Sequence, residues 1–273
     1  MTAWLLANQG LARMAVVAGL LVGLLAWQQW RPRRGEALGK VRQLRNIAMT
    51  LISSAIVFLV LPVTAVAFAV QIAAMEIGLF NALSWPAGIE IVAGVILLDL
   101  AIYWQHRWFH VVPVLWRMHR VHHSDIGFDT TLGLRFHPAE ILLSMLYKLA
   151  LVAVLGIAPL TILLYEVLLA SFALLTHADI ALPPHWDRRL RRVFVTPDWH
   201  RVHHSVHRDE TDSNYGNILS LWDRLFASYR AQPRDGHLAM VIGLPQFRDA
   251  PAQGLPALLR QPLVSISTVT TNR

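Results

Sequence analysis

Five long apolar runs constrain the fold of this chain more than any other feature. They cover residues 11–27, 47–75, 85–103, 141–157 and 160–175. Each is near the length that crosses the roughly 30 Å hydrocarbon core of a bilayer. Composition agrees, because 55% of the 273 residues are hydrophobic and 15% are charged. We therefore predict an all-α integral membrane bundle of three spans followed by a helical hairpin, whose turn lies at Gly156 and Pro159.

The first run has one feature of a secretory signal, because Arg13 precedes an apolar stretch. However, the stretch is long, and it ends at Trp27 and Trp30 in the manner of the aromatic belt at a membrane interface. It also lacks a convincing small-residue cleavage site. We interpret it as a retained membrane span.

Basic residues are concentrated between the first and second runs. They are Arg31, Arg33, Arg34, Lys40, Arg42 and Arg45. The segment joining the second and third runs contains no Lys or Arg. The positive-inside rule therefore places the basic loop, and with it the later histidine-rich segments, on the cytoplasmic side. The net charge of +7 then faces anionic membrane lipids. No basic recognition fold is visible, so we predict no nucleic-acid partner.

The hexapeptide HRVHHS occurs twice, at residues 119–124 and 200–205. Within each copy, HxxHH places three imidazoles within about 100° of arc on a helix. Pro113 suits the first turn of one such helix, and Thr196-Pro197 is an N-cap with Pro at the first position of the other. His106 and His110 form a further pair one helical turn apart. We expect Arg120 and Arg201 to point away, towards phosphate or solvent.

Eight histidines in these patterns exceed what a solvated surface requires, so we interpret them as metal ligands rather than as surface residues. Eight imidazoles also exceed the four to six ligands of one first-row ion, which favours two ions. Imidazole suits iron, zinc, copper or nickel, so the ligands alone do not identify the metal. The chain has no Cys, which excludes disulfides and thiolate sites.

Asp99 is a carboxylate inside an apolar span, where charge is costly and usually functional. Asp99, Tyr103, His106 and His110 follow one helical stripe. We predict that Asp99 orients a liganding imidazole, with Tyr103 on the same stripe. The alternative is a structural hydrogen bond between helices.

Six segments in this order resemble the sterol desaturase and fatty acid hydroxylase superfamily of membrane oxygenases. They are DLAIYWQHRWFH, LWRMHRVHHS, RFHPAE, HADIALP, TPDWHRVHHS and NYGNILSLWDRLF. The resemblance spans residues 99–229, and the tail is more weakly similar to bacterial members. It implies a dimetal centre, iron in the active form with zinc as a possible substitute, that uses O2 as co-substrate to oxidise a lipid C–H bond.

The resemblance implies nine metal ligands. They are His106, His110, His119, His122, His123, His177, His200, His203 and His204. His137 is given a supporting or substrate-side role, although a helix start with Glu140 as capping carboxylate explains RFHPAE equally well. Asn214 and Asp223 are candidates to bond a liganding imidazole, against helix capping or pairing with Arg224 or Arg230. The family usually has Gly where this chain has Ala227. His185 and His237 are expected at the surface, and His207 is left out because its segment has a loop pattern.

The resemblance implies a hydroxylase or desaturase acting on a sterol or fatty-acyl lipid, which we expect in a bacterial inner membrane. No flavin fingerprint, haem-attachment motif or Cys cluster is present, so a separate ferredoxin or cytochrome must supply electrons. The alternatives are a carotenoid hydroxylase or ketolase, a membrane metal transporter or sensor, and a silent lipid-binding member. We predict a membrane region at residues 1–86, a catalytic domain at 87–230 and a cytoplasmic tail at 231–273.

Overall fold

The structure is a computed structural model that describes residues 2–36, 39–83 and 85–265. Within these residues the chain is helical, and its backbone forms only isolated β-bridges. The α-helices are α1 Thr2–Ala7, α2 Gln9–Trp30, α3 Lys40–Val60, α4 Ala65–Ala74, α5 Leu79–Ala82, α6 Ala87–Val111, α7 Pro113–His123, α8 Pro138–Leu155, α9 Pro159–Thr176, α10 Pro184–Leu190, α11 Pro197–His203, α12 Arg208–Thr211, α13 Leu221–Leu225, α14 Gly236–Ala239 and α15 Leu255–Arg260. Short 3₁₀ helices cover Thr130–Leu134 and Gln261–Leu263.

Five helical segments are long and apolar enough to cross a membrane, which confirms the predicted bundle of three spans and a hairpin. They are α2, the region Lys40–Ala82, α6, α8 and α9. Only 6% to 39% of the residues in their most apolar windows are buried inside the protein. Most of their apolar surface therefore faces outward, as a lipid-facing bundle requires.

The second span differs from the expected continuous run. Helix α3 ends at Val60, and α4 begins at Ala65 after a break that contains Pro62. Proline has no backbone N–H and clashes with the preceding turn, so the helix stops there despite its hydropathy. Thr64 then caps α4 by accepting a hydrogen bond from the Ala67 N–H at 3.0 Å.

Helix α4 packs between α8 and α9 at the end of the bundle remote from the histidines. The α8–α9 turn lies at this end, and Gly156 adopts the left-handed conformation that ends α8. A Cβ atom on the neighbouring Gly78 would lie 2.2 Å from the Gly156 nitrogen, so both positions need glycine. The predicted hairpin turn at Gly156 and Pro159 is confirmed.

The basic loop lies at the same end of the bundle as the histidine motifs. Arg42, near the start of α3, pairs with Asp125 and Asp129 just after the first hexapeptide, both at 2.6 Å. Arg33 pairs with Asp198 in α11 at 3.2 Å. The basic loop and the histidine motifs therefore share one end of the bundle, as the alternation of spans predicted. The assignment of this end to the cytoplasmic side stays a prediction.

The described part of the predicted tail folds back onto α7. Leu258 in α15 is fully buried with Val121 in α7 and Met49 in α3. Arg117 in α7 donates a hydrogen bond to the Pro262 carbonyl at 2.6 Å. Residues near 255–265 therefore brace the helix that carries the first hexapeptide.

Candidate metal centre

All nine histidines implied by the sequence meet at one end of the bundle, in two adjacent groups. The His106 group contains His106, His110, His119, His123 and His203. The His177 group contains His122, His177, His200 and His204. Within each group, one nitrogen from every ring lies within 4.8 Å of the others. Each group thus has the size and donor type of a single transition-metal site.

The two hexapeptides contribute to these groups reciprocally. The first and third histidines of the first copy, His119 and His123, join the His106 group, while His122 crosses to the other. In the second copy, His200 and His204 join the His177 group and His203 crosses. The third histidines, His123 and His204, stack with ring centroids 4.5 Å apart. Each copy therefore bridges the two groups, which explains why the chain needs the motif twice.

The helices that carry the hexapeptides begin as the sequence predicts. Pro113 occupies the first turn of α7. Thr196 caps α11 by accepting from the Trp199 N–H at 3.4 Å, and Pro197 follows in the first turn. These starts fix the phase of each helix, so that HxxHH faces the partner motif.

Hydrogen bonds at Nδ1 fix the tautomer of several rings. His106, His177 and His203 each place Nδ1 within 2.6–2.7 Å of a backbone carbonyl. His119 Nδ1 lies 2.7 Å from Glu140 Oε1. Because a carbonyl only accepts hydrogen bonds, Nδ1 carries the proton, and Nε2 keeps the lone pair that binds a metal.

The Nε2 atoms then converge at distances that suit shared coordination of a cation. His106 Nε2 and His119 Nε2 are 3.1 Å apart although both carry lone pairs. In the His177 group, the Nε2 atom of His177 lies 3.1–3.2 Å from the Nε2 atoms of His122, His200 and His204. His110 Nε2 and His203 Nε2 are buried without a hydrogen-bond partner in the described chain. The residues therefore fit a bound metal ion in each group.

Burial keeps these imidazoles neutral. It lowers the pKa of His203 to about 3 and that of His177 to about 4. It also lowers the pKa of His122, His200 and His204 well below the usual value, with neighbouring histidines acting in the same direction. Neutral imidazole is the form that ligates a metal.

Two carboxylates contact the His106 group directly, and sequence reasoning missed both. Glu140 accepts from His119 as above, and its other oxygen is buried without a partner in the described residues. Asp212 Oδ1 lies 3.2 Å from His110 Nδ1. Glu140 had a visible signal, because it is an acid in the first turn of an apolar helix, but it was assigned to capping.

The expectation that Asp99 orients an imidazole is wrong, and the structural alternative applies. Its carboxylate accepts from the Ile218 N–H at 3.3 Å, the Leu219 N–H at 3.0 Å and the Trp222 indole at 2.8 Å. These bonds satisfy both oxygens within the protein. Asp99 therefore ties α6 to the loop that begins α13.

Asp223 and Tyr103 also support the site through the backbone. Asp223 accepts from the N–H groups of Tyr215 and Gly216 at 2.8 and 2.9 Å. Ser228 bonds both the Asp223 carboxylate and the Tyr103 hydroxyl at 2.7 Å. The expected contact between Asp223 and an imidazole is absent from these bonds. Instead, Asp223 holds the Tyr215 segment, whose carbonyl accepts the hydrogen bond from His106 Nδ1.

The hydrogen bonds of Asn214 and His137 go to partners other than a liganding imidazole. Asn214 Nδ2 donates to the carbonyls of Trp199 and Arg230 at 3.0 and 2.9 Å. His137 caps α8 through the Ala139 N–H at 3.1 Å and bonds the Leu259 carbonyl at 3.1 Å. The helix-start interpretation of RFHPAE is thus correct for His137, whereas the neighbouring Glu140 reaches the site.

The arginines inside the hexapeptides are buried, so of the two expected surroundings, phosphate or solvent, the solvent alternative is wrong. Arg201 pairs with Asp198 and lies 3.6 Å from Asp179. Arg120 donates to the carbonyls of Gln261 and Val264. Val121 and Val202 are fully buried. The Arg and Val residues of each hexapeptide therefore anchor its helix on the side away from the histidines.

The remaining histidines divide as follows. His185 is exposed, as expected. His207 lies outside both groups and contacts Asp235 at 2.8 Å. His237 was expected at the surface but is buried, with Nε2 3.8 Å from Asp198.

Comparison with known proteins identifies relatives that act on lipids. The chain is 31% identical over 238 residues to an ornithine lipid hydroxylase of Rhizobium tropici, which covers 82% of this chain and 66% of the relative. It is 30% identical over 154 residues to the human alkylglycerol monooxygenase, covering 56% and 33%. It is also 30% identical over 165 residues to methylsterol monooxygenase 1-3 of Arabidopsis thaliana, covering 56% and 53%.

The chain thus spans less than two thirds of the length of each of these three relatives. No solved structure shows significant similarity to it. The family model for fatty acid hydroxylase matches residues 91–228, half of the chain, and this region contains all nine histidines of the two groups. The chain belongs to the fatty acid hydroxylase family.

Proposed function

We propose that this protein is a membrane-bound oxidoreductase that uses O2 to hydroxylate or desaturate a C–H bond of a lipid. The observation that carries the proposal is the pair of buried histidine groups, whose Nε2 atoms converge at one end of an apolar helical bundle. A metal transporter needs ligands distributed along the spans as a pathway. The placement of both groups at one end favours catalysis over transport.

We assign one iron ion to each group, with zinc as a possible substitute. The division into five and four histidines supports two ions rather than one with surplus ligands. When bound, the pair of ions supplies the redox chemistry that activates O2. The chain's own residues hold the ligands neutral and correctly oriented, and burial excludes water from both groups.

The overall hydroxylation consumes one O2, two electrons and two protons, and yields the lipid alcohol and water. The electrons must come from outside the chain, because it has no Cys for an iron–sulfur cluster and no flavin or haem-attachment motif. We assign this role to a ferredoxin or cytochrome that docks at the histidine end. Within the reaction, Glu140 and Asp212 hold Nδ1 protons of ligands rather than transferring them to substrate.

The substrate is assigned to a membrane lipid because the apolar spans present it to the histidine end. Phe136 lies flat on His122, with ring centroids 4.5 Å apart and planes 11° apart, and α8 begins two residues later. This places an aromatic wall beside the second group, where an alkyl body can pack. The named activities of the relatives favour a polar membrane lipid or sterol over a carotenoid.

The direct test is purification followed by metal analysis and oxidation in the presence of ¹⁸O2. We expect close to two equivalents of iron and transfer of ¹⁸O into a cellular lipid, identified by comparing lipids with and without the protein. His122→Ala and His203→Ala should abolish oxidation while the chain still inserts in the membrane. His185→Ala, an exposed histidine, is the matched control. Metal content near zero after gentle purification, or full turnover in both variants, would refute the proposal.

We assign the histidine end to the cytoplasmic side of a bacterial inner membrane from the charge of the basic loop. The chain lacks Cys, so single cysteines report accessibility cleanly. Arg188→Cys at the histidine end should be protected from an impermeant thiol reagent in intact cells, and Met75→Cys at the remote end should react. The reverse pattern would overturn the orientation alone.

A further inference from the structure

A cavity of about 570 Å³ lies beside the metal centre, between α7, α12 and the folded-back end of the chain. Its walls include Trp116, Arg117, Arg120, Arg208 and Leu244. The Trp116 ring separates the cavity from the His106 group, with its centroid 5.0 Å from that of His110 and 5.5 Å from that of His123. None of the nine histidines lines the cavity, so it is distinct from the metal centre.

Three guanidinium groups line this cavity, and no carboxylate does among its described lining residues. Arg208 has an anionic partner, because it pairs with Asp212 at 2.5 Å. Arg117 and Arg120 donate hydrogen bonds to neutral backbone carbonyls within residues 261–264. Two positive charges are therefore unbalanced by the described residues around them, which is costly at a partly buried site.

Arg120 is the most buried of the three arginines in the cavity wall. Its residue is only 3% exposed, and its Nε is buried without a hydrogen-bond partner in the described chain. Burial and the nearby Arg117 charge both lower the pKa of Arg120. A buried guanidinium that lies beside a second cation and has only neutral carbonyls as acceptors is stabilised by an anion in the adjacent cavity.

We propose that this cavity binds a phosphate-bearing anion. Planar guanidinium groups match phosphate oxygens through paired hydrogen bonds. A concave space of this volume suits a small molecule or headgroup rather than a flat protein surface. The source is either a lipid headgroup or a soluble phosphate compound. Exposed Val111 and Val114, at the end of the α6 span and near the cavity rim at Pro113, place the opening by the bilayer boundary.

Trp116 and Arg208 connect the proposed anion site to the His106 group. Arg208 lies over the Trp116 ring at 4.5 Å and donates to the His110 carbonyl at 3.0 Å. A bound phosphate would therefore contact the same arginine that braces the His110 backbone. The proposal does not depend on the oxidation chemistry, because binding is measurable in the absence of turnover.

The test measures, by calorimetry, the affinity of the full chain in detergent for short-chain phosphatidylglycerol. The matched ligand is diacylglycerol with the same acyl chains, which lacks the phosphate. We expect Arg117→Gln to weaken phosphatidylglycerol binding on the order of tenfold, the size of one charge-assisted hydrogen bond. Arg188→Gln removes an exposed arginine outside the cavity and should leave binding unchanged. Metal content, measured in parallel, reports whether each variant is folded.

Competition with inorganic phosphate distinguishes the two sources. Displacement of phosphatidylglycerol at millimolar phosphate supports a soluble phosphate ligand at this site, and binding without displacement supports a lipid headgroup. Wild-type protein that binds diacylglycerol as tightly as phosphatidylglycerol would overturn the proposal, whether or not any variant folds. Equal losses in Arg117→Gln and Arg188→Gln would overturn it as well.

Discussion

At the scale of single residues, Glu140 connects the start of a membrane helix to the metal centre through one hydrogen bond. Its contact with His119 Nδ1 at 2.7 Å is buried on both sides. Glu140→Gln keeps the shape but replaces a carboxylate with a weaker acceptor. We expect metal affinity to fall roughly 10 to 100-fold, as for other residues that orient a ligand. Competition between the protein and a chelator of known affinity measures this loss.

Glu36→Gln is the control for that measurement, because Glu36 pairs with Arg34 at the protein surface. Unchanged affinity in Glu140→Gln would show that His119 is held by packing alone.

At the scale of single residues, the sequence predicted the metal ligands better than the acids that support them. Helical spacing identified eight of the nine histidines, because HxxxH and HxxHH are local patterns, and the family resemblance added His177. It misassigned Asp99, which shares a stripe with His106, because tertiary contacts decide which acid meets which ring.

Ala227 is a second residue whose importance the sequence indicated without resolving. It follows Phe226 where the family usually has Gly, and its φ of +55° lies in the left-handed region. A Cβ atom is strained there, so Ala227→Gly should raise the free energy of unfolding by about 1 kcal/mol. Thermal melting in detergent measures the change. Ala257→Gly, the same substitution inside α15, should instead lower stability, and a loss of stability in both variants would contradict the strain.

At the scale of elements, α15 braces α7 through an apolar contact that hydropathy does not reveal. Leu258, Val121 and Met49 are all fully buried in one cluster. Leu258→Ala should cost about 2–5 kcal/mol through lost burial and the cavity left behind. Because Val121 lies between liganding histidines, metal retention should fall together with the melting temperature. The exposed neighbour Leu263 supplies the control, Leu263→Ala.

If Leu258→Ala melted like the wild type, the folded-back segment would not support α7.

The elements that the sequence predicted well have local signals, such as Pro113 and Thr196-Pro197 at helix starts and Gly156 at the hairpin turn. The break at Pro62 was present in the sequence but was masked by continuous hydropathy. The packing of α15 has no local signal, because it depends on a contact between residues more than 130 positions apart.

At the scale of the whole molecule, the alternation of spans placed the basic loop and every histidine motif at one end. The structure agrees, since Arg42 bridges α3 to the segment after the first hexapeptide. The alternation of successive spans predicts on which side of the membrane each loop lies, but it does not predict which helices pack against each other. The insertion of α4 between α8 and α9 and the reciprocal sharing of the two hexapeptides therefore emerge only from the folded chain.

This concentration of buried neutral histidines makes the metal-free protein sensitive to acid. In the folded state the pKa of His203 is about 3 and that of His177 about 4, against 6.5 for the ordinary group. Between pH 6.5 and 4 the unfolded chain therefore binds protons at these residues that the folded chain does not. Stability falls as pH falls through this window, by up to about 1.4 kcal/mol per pH unit for each group.

Asp223 acts in the opposite direction, because burial raises its pKa from 3.8 to about 6. Its proton favours the folded state on acidification from pH 6 to 4, and Asp212, whose pKa burial also raises, acts in the same direction. The histidines with a lowered pKa outnumber these carboxylates, so a net loss of stability remains. The melting temperature of chelator-treated protein should therefore drop between pH 6.5 and 4. Asp223→Asn removes one opposing group and should make the drop steeper. A constant or rising melting temperature across this window would mean that the histidines are already protonated in the folded, metal-free chain.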